Sequence, residues 1–257
     1  MKQEIFLYLI GTAGSGKSTL AHTFKQWTNV HGIDSVVVNL DPGAENLPYS
    51  PDVDIRDWIS LKEIMNDHGL GPNGAQVACA DLIAMNMDDV KKSIQSFKTD
   101  FVVLDAPGQL ELFVFRESGR LIMQTLQPNR SVIGYLIDHV LARTPSGFIT
   151  QLLLSLTAQY RIGIPQINML SKADMFTESE LDEIISWSKD SGLLETAVSN
   201  QKATVYREMS EGILRLIEGF LHHSSIFPVS KEEYLGIDDL YTNIQFIYEG
   251  GEDALPD

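Results

Sequence analysis

Along this chain of 257 residues, unbroken apolar runs alternate with segments whose apolar positions recur every three to four residues. The runs Ile5 to Ile10, Ser35 to Leu40, Phe101 to Leu104, Ser131 to Ile137, Pro165 to Leu170 and Ser225 to Val229 predict strands. Continuous rather than alternating apolar character indicates strands covered on both faces. Helices are predicted over Thr19 to Lys25, Leu61 to His68, Met87 to Phe97, Leu110 to Thr125, Phe148 to Tyr160, Glu178 to Lys189, Val205 to His222 and Asp238 to Tyr248. Such alternation predicts an α/β fold, a mostly parallel central sheet with helices on both faces. The stretch from Thr12 to Asp105 is longer than one strand–helix–strand unit needs, so helical insertions are expected near the strand ends. One domain over residues 1–249 and an acidic tail over 250–257 account for the length.

Composition narrows the partners. Hydrophobic residues make up 44% of the chain, enough for a substantial core. Nineteen basic residues against 35 acidic ones give a net charge of −16, which argues against direct nucleic-acid binding and against an anionic membrane surface. A polyanion must then be held by a local positive site. No apolar run approaches a bilayer span, and Met1-Lys2-Gln3-Glu4 leads straight into the first strand without a signal-peptide pattern. Cys79 stands alone, which excludes an internal disulfide and a cysteine-cluster metal site. The expected compartment is cytoplasmic.

The local positive site is the run Gly11-Thr12-Ala13-Gly14-Ser15-Gly16-Lys17-Ser18, between the first strand and the first helix. Its glycines let backbone N–H groups turn toward phosphates. Lys17 can reach the β and γ phosphates, Ser18 can ligate Mg²⁺, and the helix N-terminus adds positive partial charge. The expected phosphate-binding residues are Gly11, Ala13, Gly14, Ser15, Gly16, Lys17, Ser18 and Thr19.

Three further segments sit at strand ends. Asp105-Ala106-Pro107-Gly108-Gln109 follows Phe101 to Leu104, so Asp105 is placed as a strand-terminal carboxylate for Mg²⁺. Gly108 can bring its N–H close to a γ-phosphate, Gln109 stands where a water-orienting side chain is needed, and Glu111 can assist it. Asp41, in Asn39-Leu40-Asp41-Pro42-Gly43, can hold the metal's water shell or act on the attacking water; taken alone, the segment is better explained as an ordinary Asp-Pro-Gly turn. Ser171-Lys172-Ala173-Asp174 follows a late strand. A carboxylate there accepts from guanine N1–H and the exocyclic amine, a donor pair adenine lacks, and the lysine stem lies along the base. Gly71-Pro72-Asn73 reads, on local physics alone, as a rigid turn.

Together these segments, with Asp54-Ile55-Arg56 and Phe227-Pro228-Val229-Ser230, resemble the GPN-loop GTPases, P-loop proteins of the dimerising signal-recognition-particle and MinD-like class. Gly71-Pro72-Asn73 matches the family's defining insertion, here around residues 69–75. Val229-Ser230-Lys231 is similar to the loop that touches guanine, which adds Ser230 to Ser171, Lys172 and Asp174. The resemblance implies GTP as substrate, GDP as product, Mg²⁺ held by Ser18, Asp41 and Asp105, and a homodimer. It implies that Asn73 acts in trans on the partner's phosphates, while Asp41, Gln109 and Glu111 position water in their own subunit. It also implies a protein client, RNA polymerase in the eukaryotic members; this compact chain is similar to the archaeal type.

Other readings stay open from the residues themselves: an ATPase of the MinD-like class, a small-molecule kinase, or a binding module that holds nucleotide without hydrolysing it. Arg116 and Arg120 are too few for a kinase lid and are expected to pair along a helix. Leu152-Leu153-Leu154-Ser155-Leu156 suits a buried helix or an interface. His22, His31 and the pair His222-His223 are expected to pack or to complement helix ends.

Overall fold

The structure, a computed structural model, describes residues 4–126, 129–201, 205–221 and 226–249. The chain opens with β1 (Ile5–Gly11), α1 (Lys17–Val30), β2 (Ser35–Asn39) and the short β3 (Val53–Asp54). Next come α2 (Leu61–His68), α3 (Pro72–Gln95) and β4 (Phe101–Asp105). A π-helical turn at Glu111–Phe115 leads into α4 (Glu117–Leu126), β5 (Ser131–Ile137), α5 (His139–Ala142), α6 (Pro145–Ile162) and β6 (Gln166–Ser171). The last elements are α7 (Glu178–Lys189), α8 (Ser191–Ser199), α9 (Val205–Leu221), β7 (Ile226–Val229) and α10 (Ile237–Glu249).

The strands form one sheet of order β3-β2-β4-β1-β5-β6-β7, parallel throughout. β1 is buried along its whole length because both faces are covered. Period-two geometry divides its side chains. Phe6, Tyr8 and Ile10 face a core closed by α3, α4, α6 and α7; Ile5, Leu7 and Leu9 face a second core closed by α1 and α10. Each fully buried Leu or Ile here contributes about 1.5–3 kcal/mol of transfer free energy. The register carries the functional consequence. Leu9 and Asn39 both lie opposite Asp105, and Ser171 lies opposite Val229. All the strand-end motifs therefore emerge on one edge of the sheet.

Two expectations need correction. α3 starts at Pro72, not near Met87, so Gly71-Pro72-Asn73 is a helix N-terminus rather than a free turn. Gly71 is its N-cap and Pro72 its first residue, where a missing N–H costs nothing. The buried positions Ala75, Cys79, Ile83, Met87, Val90 and Ile94 hold one helical stripe. The helix expected over Leu110 to Thr125 is two pieces, because Arg116 is extended (φ −94°, ψ 151°) between the π turn and α4. The segments β3, α5 and α8 were not expected at all. Leu152 is buried in α6, and Leu153, Leu154 and Leu156 pack half-buried against the same core, so that run is core. His222, His223, Ser225 and the tail 250–257 lie outside the described residues.

Candidate nucleotide site

The loop after β1 is shaped by its glycines. Gly14 and Gly16 have φ of 78° and 99°, which a side chain resists. A Cβ on Gly16 would also come within 3.0 Å of Ser171 Oγ. Gly16 is the N-cap of α1; no side chain caps that end and no acidic residue sits in its first turn. The first N–H groups of α1 therefore keep their hydrogen-bonding capacity and positive potential for an anion. Lys17 is buried and folds over the loop, its Nζ donating to Gly11 O at 3.0 Å and Thr12 O at 3.1 Å. Burial lowers its pKa, opposed by the carboxylates of Asp105 and Asp41.

Those carboxylates come from β4 and from the loop after β2. Asp105 is 1% exposed and accepts from Tyr49 Oη at 2.7 Å through Oδ2, while Oδ1 is buried with no hydrogen-bond partner among the described residues. Burial raises its pKa; the Ser18 and Tyr49 hydroxyls and the Lys17 charge pull the other way. Asp41 bridges two loops, Oδ1 accepting from Gly43 N at 2.8 Å and Oδ2 from Gly108 N at 3.1 Å. A chain of polar contacts holds Asp41 in place. Asn39 Oδ1 accepts from Asp41 N at 3.0 Å, Asn39 Nδ2 donates to Asp54 Oδ1 at 2.9 Å, and Arg56 clamps Asp54 through Nε and Nη2. Gly14, Gly16, Lys17, Ser18, Thr19, Asp41, Ala106, Gly108 and Lys172 line one pocket of about 270 Å³, sized for phosphates.

A larger cavity of about 660 Å³ adjoins it, lined among others by Thr19, Thr23, Pro48, Lys172, Asp174, Val229 and Ser230. Lys172 lines both spaces, and its left-handed backbone (φ 54°) turns the chain between them. That conformation costs a non-glycine residue about 1–3 kcal/mol, the sort of strain kept where a side chain must be aimed. Ser171 also lines this cavity, and its Oγ donates to Ser15 O at 2.5 Å, which ties the motif to the phosphate loop. Ser230 Oγ donates to Asp174 Oδ1 at 2.5 Å and accepts from Glu232 N at 3.1 Å. The loop after Ser230 closes back through Ser230 N donating to Leu235 O at 3.1 Å. Gly236 makes this possible, since a Cβ there would sit 2.1 Å from Pro228 O.

The residues expected to act on water divide. Asp41 and Gln109 line a third space of about 200 Å³ together with Ala13, Gly43, Gln76 and Gly108. Glu111 and Asn73 are exposed and line none of these three spaces. Glu111 opens the π turn, and Asn73 is the second residue of α3. Tyr49 was missed by sequence reasoning: it lies in an irregular segment, and no local pattern names a partner 56 positions away. The bond that Asn39 makes to Asp54 was equally illegible, although both residues had been noted.

A parallel sheet with a glycine-rich phosphate loop, a buried carboxylate on the adjacent strand and a Lys-x-Asp cavity beside them defines a P-loop nucleotide-binding protein. Comparison narrows the class. A family model described as "conserved hypothetical ATP binding protein" matches residues 9–250. GPN-loop GTPase 1 of Dictyostelium discoideum is 29% identical over 95% of this chain, which spans 61% of that relative's length. GPN-loop GTPase QQT1 of Arabidopsis thaliana is 31% identical, over 89% of this chain and 80% of that protein. The crystal structure of a GTPase from Pyrococcus abyssi in its apo form is similar at a TM-score of 0.84 and 28% identity, covering 95% of this chain and 98% of that one. The chain belongs to the GPN-loop GTPase family.

Proposed function

We propose that this chain is a Mg²⁺-dependent, homodimeric GTPase that works as an assembly switch for a protein client. It is a GTP hydrolase, forming GDP and phosphate. The observation that carries the reading is Asp174, held by Ser230 in a cavity that joins the phosphate loop through Lys172. Guanine presents two adjacent donors to such a carboxylate, whereas adenine leaves it desolvated and unpaired. That chemistry favours GTP over the ATP in the family model's description.

The residues present fit a magnesium ion. Asp105 is a buried carboxylate whose Oδ1 has no hydrogen-bond partner among the described residues; burial raises its pKa, and a cation there would offset that cost. Ser18, Asp105 and Asp41 would hold the ion or its water shell. Bound there, it would neutralise charge on the β and γ phosphates. Lys17 and the N-terminal amides of α1 hold the triphosphate, and Gln109 and Asp41 orient water for attack on the γ-phosphorus. The exposed Asn73 reaches the site of a second subunit, by resemblance to the family. Its amide lends less charge stabilisation than a guanidinium, so turnover is modest. The family resemblance suggests a cytoplasmic role, with an RNA polymerase as the class of client and the GTPase domain extending through residue 249.

Competition of GTP and ATP against a fluorescent guanine nucleotide tests the reading directly. GTP is expected to displace it at concentrations at least about 100-fold lower than ATP. Equal displacement would sink the guanine assignment.

A further inference from the structure

Tyr49, a residue outside every motif of the chain, donates its hydroxyl to Oδ2 of the buried Asp105 carboxylate at 2.7 Å. It lies in the segment between β2 and β3, and only 8% of it is exposed. That segment is stapled on either side of Tyr49. Arg56 Nη1 donates to Ala44 O at 2.8 Å, and Asp52 Oδ2 accepts from Val37 N at 2.7 Å and Lys25 Nζ at 2.5 Å. The neighbouring Pro48 lines the base cavity.

A carboxylate with two identical oxygens can rotate and offer either one. A phenol fixed on Oδ2 removes that freedom. We propose that Tyr49 is a positioning residue for the metal-binding carboxylate: its hydroxyl engages Asp105 Oδ2 and fixes the rotation of the carboxyl group, leaving Oδ1 for a magnesium ion and its water shell. This rests on the Mg²⁺-dependent reading given above. The bland alternative is that Tyr49 merely fills the core it shares with Leu47. The two differ in what the hydroxyl does once the ring is kept.

The test compares the wild type, Tyr49→Phe and Leu47→Ala, titrated with a non-hydrolysable fluorescent GTP analogue in EDTA and in excess Mg²⁺. Thermal melting checks each fold. In EDTA, Tyr49→Phe is expected to bind within about twofold of the wild type, since the phosphate loop and base cavity are untouched. The gain in affinity on adding Mg²⁺ is expected to fall about tenfold, the effect of losing one hydrogen bond to a charged group. Leu47→Ala is expected to melt earlier and keep the full gain. An undiminished Mg²⁺ gain in Tyr49→Phe overturns the proposal, as does an equal loss of affinity with and without the ion. A wild type whose affinity ignores Mg²⁺ overturns the metal reading itself, and the proposal with it; the wild-type arm alone tells these failures apart.

Discussion

Asp174 and Asn73 are both exposed polar residues, but the chain treats them differently. Asp174 is fixed by Ser230, whose own loop is closed by Ser230 N on Leu235 O, and its motif is tied to the phosphate loop by Ser171. Asn73 caps nothing and makes no side-chain hydrogen bond among the described residues. On the reading proposed above, the half of the site that would hold base and phosphates is organised within one chain, and the half that would act on water only as far as Asp41 and Gln109. Binding is therefore expected to belong to the single chain, and full turnover to depend on the proposed dimer.

Removing the charge of Asp174 attacks the organised half. Asp174→Asn is expected to weaken GTP about 100-fold or more, as two hydrogen bonds to a charged acceptor are lost. Xanthosine triphosphate, whose C2 oxygen accepts from an amide, is expected to bind the variant better than GTP does. Fluorescent-nucleotide titrations measure both, and unchanged GTP affinity would remove Asp174 from base recognition.

Asn73→Ala attacks the other half and has a smaller expected effect: kcat falls about tenfold while GTP affinity changes less than about twofold, the signature of a group that acts in the transition state. Mixing Asn73→Ala with Lys17→Ala is expected to recover part of the activity, because the intact phosphate loop then faces an intact Asn73. Co-purification of the two variants through different affinity tags checks that mixed dimers form. Mixed dimers without recovered turnover would place Asn73 outside the neighbour's site.

The same contrast governs what could be read from the sequence. The phosphate loop, Asp105 and Lys172-Ala173-Asp174 were legible because each is a contiguous segment whose spacing to a strand end fixes its geometry. α2 and α7 coincide with their expected bounds, since Ser60 and Thr177 cap their first turns and periodic apolar positions follow. The first half of α3 was not legible, because glycines flanking Pro72 suggest a turn and Ala75 and Cys79 are weak markers of an apolar stripe. Contacts between loops were the least legible. Nothing near Asn39 points to Asp54, which the parallel register sets opposite it, and nothing near Tyr49 points to Asp105, which the path of the irregular β2–β3 segment brings within reach.

The smallest expected effect concerns how the two halves are joined. Asp41 touches both, and its loop is steadied through Asn39 by Asp54 and Arg56. Burial pushes the Asp54 carboxyl up, but hydrogen bonds from the Arg56 guanidinium, the Asn39 amide and the Arg56 backbone outweigh it. The pKa therefore lies below its ordinary 3.8. A carboxylate held more acidic in the folded chain stabilises it fully above the unfolded value of 3.8, and that contribution is lost as pH falls through the lower folded value. Asp54→Asn keeps the shape and removes the charge. Because the pair is only partly buried, the expected loss is about 1 kcal/mol near pH 6. Urea unfolding at descending pH is expected to show the gap between wild type and variant closing only below the ordinary carboxylate range. A gap independent of pH would mean that Asp54 acts through shape alone. Nucleotide affinity is expected to survive the substitution while kcat drops a few-fold, because Asp41 loses its brace and the phosphate loop does not.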